Sequence, residues 1–314
     1  MNDPLLILTP LMVLLILALI RFTGCKPFGG SDAVTPSTGP GQTPGVPPPP
    51  VVPPTYEQLV GGIKGFAAHW RLAETGGNVA AVLGPLNPQA QGQYVTGNPA
   101  GTGLKLGQQG ALFDKTKSDL AAEFLGTAAY VEVPFVGTLN TGNILSFSVE
   151  LWLKPDPALG PATQVVISSH RVDTKHGYEI ALVKRPNETH QQLRGRVFSP
   201  TATTPTEVTI QPLQADGDPK AWRYVVLTYE GAPTGAGTLT LHVRLAKSTS
   251  RFQDVATGAS YVNVTSAIPS TLRFGANHKS NQNADNFFAG RIDEVAFYNV
   301  VLTQQQRDDH YDMA

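Results

Sequence analysis

The chain has 314 residues, of which 15% are charged and 41% hydrophobic, and its formal net charge is -1. Lysine and arginine do not cluster, which excludes a nucleic-acid partner, since phosphate binding needs a concentrated basic face. The 31 glycines and 26 prolines favour many short strands joined by turns, and the single cysteine excludes an intrachain disulfide and a cysteine-rich zinc site.

The first predicted element lies in residues 1–26, an apolar run from Pro4 to Ile20 broken only by Thr9 and Pro10. It is a little short of the roughly 20 residues a spanning helix needs and longer than the roughly 7–15 of a secretory core. Phe22-Thr23-Gly24-Cys25 follows, and small residues before such a cysteine resemble the bacterial lipoprotein processing site, which implies lipidation of Cys25 and removal of the segment before it. Asp3 and the lack of any Lys or Arg ahead of the run do not match a secretory leader, so an uncleaved membrane anchor stands as the alternative. Either way the expected location is a membrane, with the rest of the chain exported to the cell surface or periplasm. Residues 27–55 form a Pro/Gly/Ser/Thr-rich linker containing Pro47-Pro48-Pro49-Pro50. Proline favours the extended polyproline conformation, so this piece reads as a stalk reaching on the order of 80 Å.

Residues 56–314 carry the strands. Leu239, Leu241, Val243 and Leu245 alternate with Thr240, His242 and Arg244, the mark of a strand with one buried face. Phe147, Val149, Leu151 and Leu153 alternate with Ser148, Glu150, Trp152 and Lys154, which places Trp152 on the more exposed face. The run Tyr224–Tyr229 reads as buried on both faces. Gly231-Ala232-Pro233-Thr234-Gly235 and Asp216-Gly217-Asp218-Pro219 are turns. Thr303 and Gln306 have capping-box spacing and predict a short C-terminal helix. The fold expected is all-β, a two-sheet antiparallel sandwich preceded by an apolar N-terminal helix and a Pro-rich linker.

The order and spacing of several blocks carry a family resemblance: His69-Trp70-Arg71-Leu72, Phe147 to Pro155, Trp222 to Gly231, and Gly290-Arg291-Ile292-Asp293-Glu294-Val295. Together they resemble the laminin-G-like, concanavalin A-like jelly rolls of bacterial surface proteins. The resemblance implies a jelly roll used as a binding module. It also implies a structural Ca2+ tying the first and last strands, with Glu74 and Asp293 as its ligands.

Catalytic chemistry finds no support in the residues. The Glu-x-Asp-x-x-Glu run of concanavalin-like glucanases is absent, Asp293 and Glu294 are adjacent and expected on opposite strand faces, and no nucleophile elbow occurs. Binding has candidates. Asn277, His278 and Asn281 lie in an amide-dense stretch whose groups both donate to and accept from sugar hydroxyls. Tyr178 from the neighbouring loop and Trp152 offer aromatic faces for a sugar ring, while Trp70 and Trp222 read as core. The expectation is a membrane-tethered, non-catalytic module recognising polysaccharide or a glycoconjugate. The alternative is a protein-interaction or structural module whose partner is another surface protein.

Overall fold

The computed structural model describes residues 52–139, 146–156, 161–171, 176–186, 191–199, 203–210, 220–231, 236–258, 270–279 and 283–314. Cys25, the linker up to residue 51 and Asn281 lie outside the described residues. The helices are α1 (Tyr56–Gly61), α2 (Phe113–Thr116) and α3 (Gln304–Asp312). The early strands are β1 (Phe66–Trp70), β2 (Val79–Ala80), β3 (Gly92–Val95), β4 (Leu104–Gln109), β5 (Leu120–Leu125) and β6 (Tyr130–Val133). Then come β7 (Ser146–Pro155), β8 (Thr163–Ser168), β9 (Gly177–Lys184), β10 (Gln191–Phe198), β11 (Thr206–Ile210) and β12 (Arg223–Glu230). The last are β13 (Gly237–Leu245), β14 (Arg251–Gly258), β15 (Leu272–Phe274), β16 (Asn277–His278), β17 (Ala284–Asp285) and β18 (Ala289–Tyr298).

Two eight-stranded antiparallel sheets form the sandwich. Sheet I runs β14-β13-β12-β7-β18-β5-β4, with β1 also paired to β18; sheet II runs β11-β10-β9-β8-β15-β6-β3-β2. The inward faces meet in the main core, where Trp70, Phe124, Phe147, Tyr178, Phe274 and Phe297 are all buried. β13 shows why the sequence forms these strands: its leucines and valines are buried and its intervening residues half-buried, so each residue's face follows from parity. β12 is buried along nearly its whole length, as its sequence predicts.

A second apolar cluster lies on the outer face of sheet I, where Trp152, Tyr224 and Tyr298 pack with Tyr56 and Val60 of α1 and with Leu302 and Tyr311. Both helices start at capping boxes, Thr55 with Gln58 and Thr303 with Gln306. Trp152 is therefore not exposed. It is fully buried and stacks on Tyr311 with centroids 5.7 Å apart, because α3 covers the face that strand parity alone leaves to solvent. Trp222, expected in the core, is only half-buried.

Candidate functional site

Among the described residues, the loop candidates singled out in the sequence do not gather into an exposed site. Tyr178 is fully buried in the main core, its ring 5.1 Å from Phe147 and 6.0 Å from Phe297, since its position on β9 points inward. His278 is also buried, with Nε2 2.9 Å from the Thr271 carbonyl. Burial, reinforced by the Arg273 charge, lowers its pKa to about 3, so the ring is neutral. Asn277 is half-buried, and its Oδ1 accepts the His278 amide at 2.8 Å. Arg273 donates to the carbonyls of Asn277 and Asn283, 3.1 Å each, which holds both ends of this segment on sheet II.

Among the described residues, one concave feature that the fold builds lies on the outer face of sheet I. Three clefts of about 290, 470 and 290 Å³ succeed one another across the strands. The first shares Lys154 and Lys220 with the second, and the second shares Ala111, Asp114, Ala246 and Lys247 with the third. Register explains the floor. Lys105 pairs with Glu123, Glu123 with Arg291, and Arg291 with Lys154, so residues from β4, β5, β18 and β7 form one row. Arg223 pairs with Leu153 and Leu245, which sets Trp222 next in that row, beside Lys154 and Ala246. The Ala246 amide donates to the Trp222 carbonyl at 2.8 Å. Gly290 is required at the start of β18. It sits at φ +140°, and a Cβ there would stand 2.3 Å from the Lys154 carbonyl.

Ion pairs run along the row and its rim. Glu123 accepts from Arg291 at 2.9 Å and from Lys105 at 3.1 Å. Burial alone would raise its pKa, but these two cations hold it below the ordinary carboxylate value. Lys220 pairs with Asp156 at 3.3 Å, and Lys247 pairs with Asp114, whose pKa its hydrogen bond and charge lower.

Residues 109–115 form the wall of the groove, and Asp293 fastens it to β18 while Asp119 ties it to the start of β5. Asp293 Oδ2 accepts the Ala111 amide at 2.8 Å and Asp119 Oδ2 the Leu112 amide at 2.7 Å. Glu294 joins them, contrary to the strand-parity expectation, because it adopts φ +50° at a β-bulge between Asp293 and Ala296. Carboxylate oxygens of Asp119, Asp293 and Glu294 lie within 4.8 Å of one another, and all three residues are buried. Burial first, then the Glu294 and Asp119 charges, push the Asp293 pKa well up; burial and Glu294 raise Asp119 as well.

Three observations test whether these residues fit a calcium ion. Asp293 Oδ1, buried without a hydrogen-bond partner, would suit one. Positive charge already reaches the cluster, however. Arg71 Nε is 3.1 Å from Glu294, its terminal nitrogen is 3.4 Å from Asp119, and His69 Nε2 bonds Glu294. Glu74 stands outside the cluster, one oxygen taken by the Ala81 amide and the other by the Tyr94 hydroxyl, 2.7 Å each. A six- to eight-oxygen calcium shell does not fit this mixture of carboxylates, a guanidinium and amide donors.

The chain belongs to the concanavalin A-like lectin/glucanases superfamily, whose laminin-G-type family model matches residues 125–306, more than half of its length. No curated protein matches it in sequence. Among solved structures, the binding domain of botulinum neurotoxin serotype D/C superposes with a TM-score of 0.51 at 10% identity, covering 80% of this chain and 52% of that one. This chain thus spans about half the length of the neurotoxin domain. The Ruminococcus gnavus IT-sialidase CBM40 gives a TM-score of 0.41 at 10% identity over 61% of this chain and 95% of its own. The leech intramolecular trans-sialidase gives 0.40 at 11% identity over 55% and 24%. At 10% identity, what this chain shares with the neurotoxin binding domain is fold.

Proposed function

We propose that this domain is a non-catalytic carbohydrate-binding module, held outside the cytoplasm by a membrane-associated N-terminus, and that glycan lies in the groove on the outer face of sheet I. The observation that carries the reading is the cross-strand row itself. It passes over β5, β18, β7, β12 and β13, a span of about 19 Å at the usual strand spacing of roughly 4.8 Å. That is a track for an extended chain of several sugar rings. The half-buried Trp222 offers the apolar surface on which a pyranose face stacks. Matched ion pairs supply donors and acceptors side by side, as sugar hydroxyls require.

Membership of a superfamily described by its lectins and glucanases supports a glycan ligand. The charge pattern supports binding without catalysis. Glu123 and Asp114 are kept ionised by their cations, so neither is set to protonate a glycosidic oxygen. The apolar run before residue 26 supports the membrane association; among the described residues no helix is long and apolar enough to cross a membrane.

Titration of the full-length protein against an array of neutral and acidic polysaccharides tests the reading. A saturable ligand is expected, with Trp222→Ala weakening it about ten-fold, roughly 1.4 kcal/mol. Self-association without affinity for any polysaccharide would replace this reading with that of an assembly module.

A further inference from the structure

At the β14 edge of sheet I, a separate cleft of about 100 Å³ opens between β13, β14 and the first turns of α3. Its lining brings together Arg244, Arg251 and Arg307 with Asp308, His242 and Gln304. Arg244 and Arg251 are direct cross-strand partners, a placement that disfavours like charges. Asp308 bridges them, with one oxygen 3.0 Å from Arg244 and the other 3.0 Å from Arg251. Arg307 adds a third guanidinium, one arm of which donates to the Leu302 carbonyl. Asp312, largely exposed, stands 3.8 Å from Arg244.

The lining therefore holds three guanidinium groups against one carboxylate. Arg244 Nε is buried without a hydrogen-bond partner, its plane 3.5 Å above the Tyr311 ring. Burial and the charge of Arg307 lower the His242 pKa to about 4, so the imidazole adds no charge at neutral pH and remains a hydrogen-bonding group. Burial and then Arg251 also disfavour the charge on Arg307, although Tyr224 and Asp308 favour it. Gln304 is the first residue of the nine-residue α3, so the positive end of that helix dipole faces the same space.

We infer that this cleft binds an oxyanion of sulfate or phosphate size, either as the free ion or as a substituent on a larger ligand. Guanidinium forks match the oxygens of such a group, and its negative charge offsets the surplus that Asp308 leaves. The site is distinct from the glycan groove and stands whether or not the groove binds sugar.

The experiment is calorimetric titration of the full-length protein with sodium sulfate and with sodium phosphate, at constant ionic strength against chloride. The same titration with a sulfated oligosaccharide and its desulfated counterpart distinguishes the source of the group. Saturable binding is expected, weakened about ten-fold or more by Arg251→Gln, a change on the half-exposed edge strand. Asp308→Asn should tighten binding, because it removes the competing carboxylate. Trp222→Ala should leave it unchanged, which separates this proposal from the groove. Preference for the sulfated oligosaccharide over inorganic sulfate, lost with Arg251→Gln, would assign the group to a larger ligand. No saturable binding of any of these anions, binding indifferent to Arg251→Gln, or binding weakened by Asp308→Asn would each overturn the inference.

Discussion

Asp293 has one oxygen on the Ala111 amide, while two more carboxylates crowd it within the same buried space. A proton retained on Asp293 removes its repulsion with Glu294 and Asp119, the direction in which burial and these two charges move its pKa. The sign of the pH effect follows. An unfolded aspartate titrates near 3.9, so this group's stabilisation is full below about pH 4 and is lost as pH rises through the higher folded value. Asp293→Asn keeps the shape and a donor but cannot ionise. Melting temperatures from pH 5 to 9 should therefore fall less steeply in the variant, by about 2–4 °C for each kcal/mol relieved. Calcium against chelator should move neither protein, since Arg71 already occupies the side of the cluster formed by Glu294 and Asp119; a calcium-dependent rise lost in Asp293→Asn would instead establish a cation site.

At the scale of elements, Glu150 of β7 decides where α3 sits. It is fully buried and accepts hydrogen bonds from Tyr224 at 2.5 Å, Tyr298 at 2.6 Å and His310 at 2.9 Å. Burial opposes its charge, but His310 and the three hydrogen bonds outweigh burial and leave the pKa below its ordinary value. His310 moves the other way: burial lowers its pKa, yet the charge of Glu150 raises it overall. The raised histidine contributes stability that is complete below about pH 6.5 and is lost above, and the depressed glutamate contributes stability that is complete above about pH 4.3 and is lost below. The pair therefore works best between those values. His310→Ala strands a buried carboxylate and should cost about 3–5 kcal/mol in urea unfolding, most visibly inside that window.

For the whole molecule, α3 is a lid on a second core rather than a tail. Ending the chain after Leu302 would uncover Trp152, Tyr224 and Tyr298 and leave Glu150 without His310. Exposed aromatic surface of that extent should bind a hydrophobic dye and broaden or abolish the cooperative melt seen by circular dichroism. The result separates a lid that the sandwich needs from one it merely carries.

The sandwich, the buried face of strands such as β13 and the capped start of α3 were legible in the sequence. Strand alternation and the Thr303–Gln306 spacing are local patterns, and parity along one strand is enough to choose its buried face. The same local rule failed where a second layer intervened. It left Trp152 exposed because nothing within β7 announces that α3, some 150 residues later, packs on that face. It set Asp293 and Glu294 on opposite faces because the bulge that reunites them depends on the pairing of β18 with β7. The groove was illegible for a related reason: Lys105, Glu123, Lys154, Trp222 and Arg291 are scattered over nearly 190 positions, and only register across five strands sets them in a row. Hydrophobic periodicity thus determined the architecture, while long-range pairing, which no local pattern encodes, decided which polar residues meet.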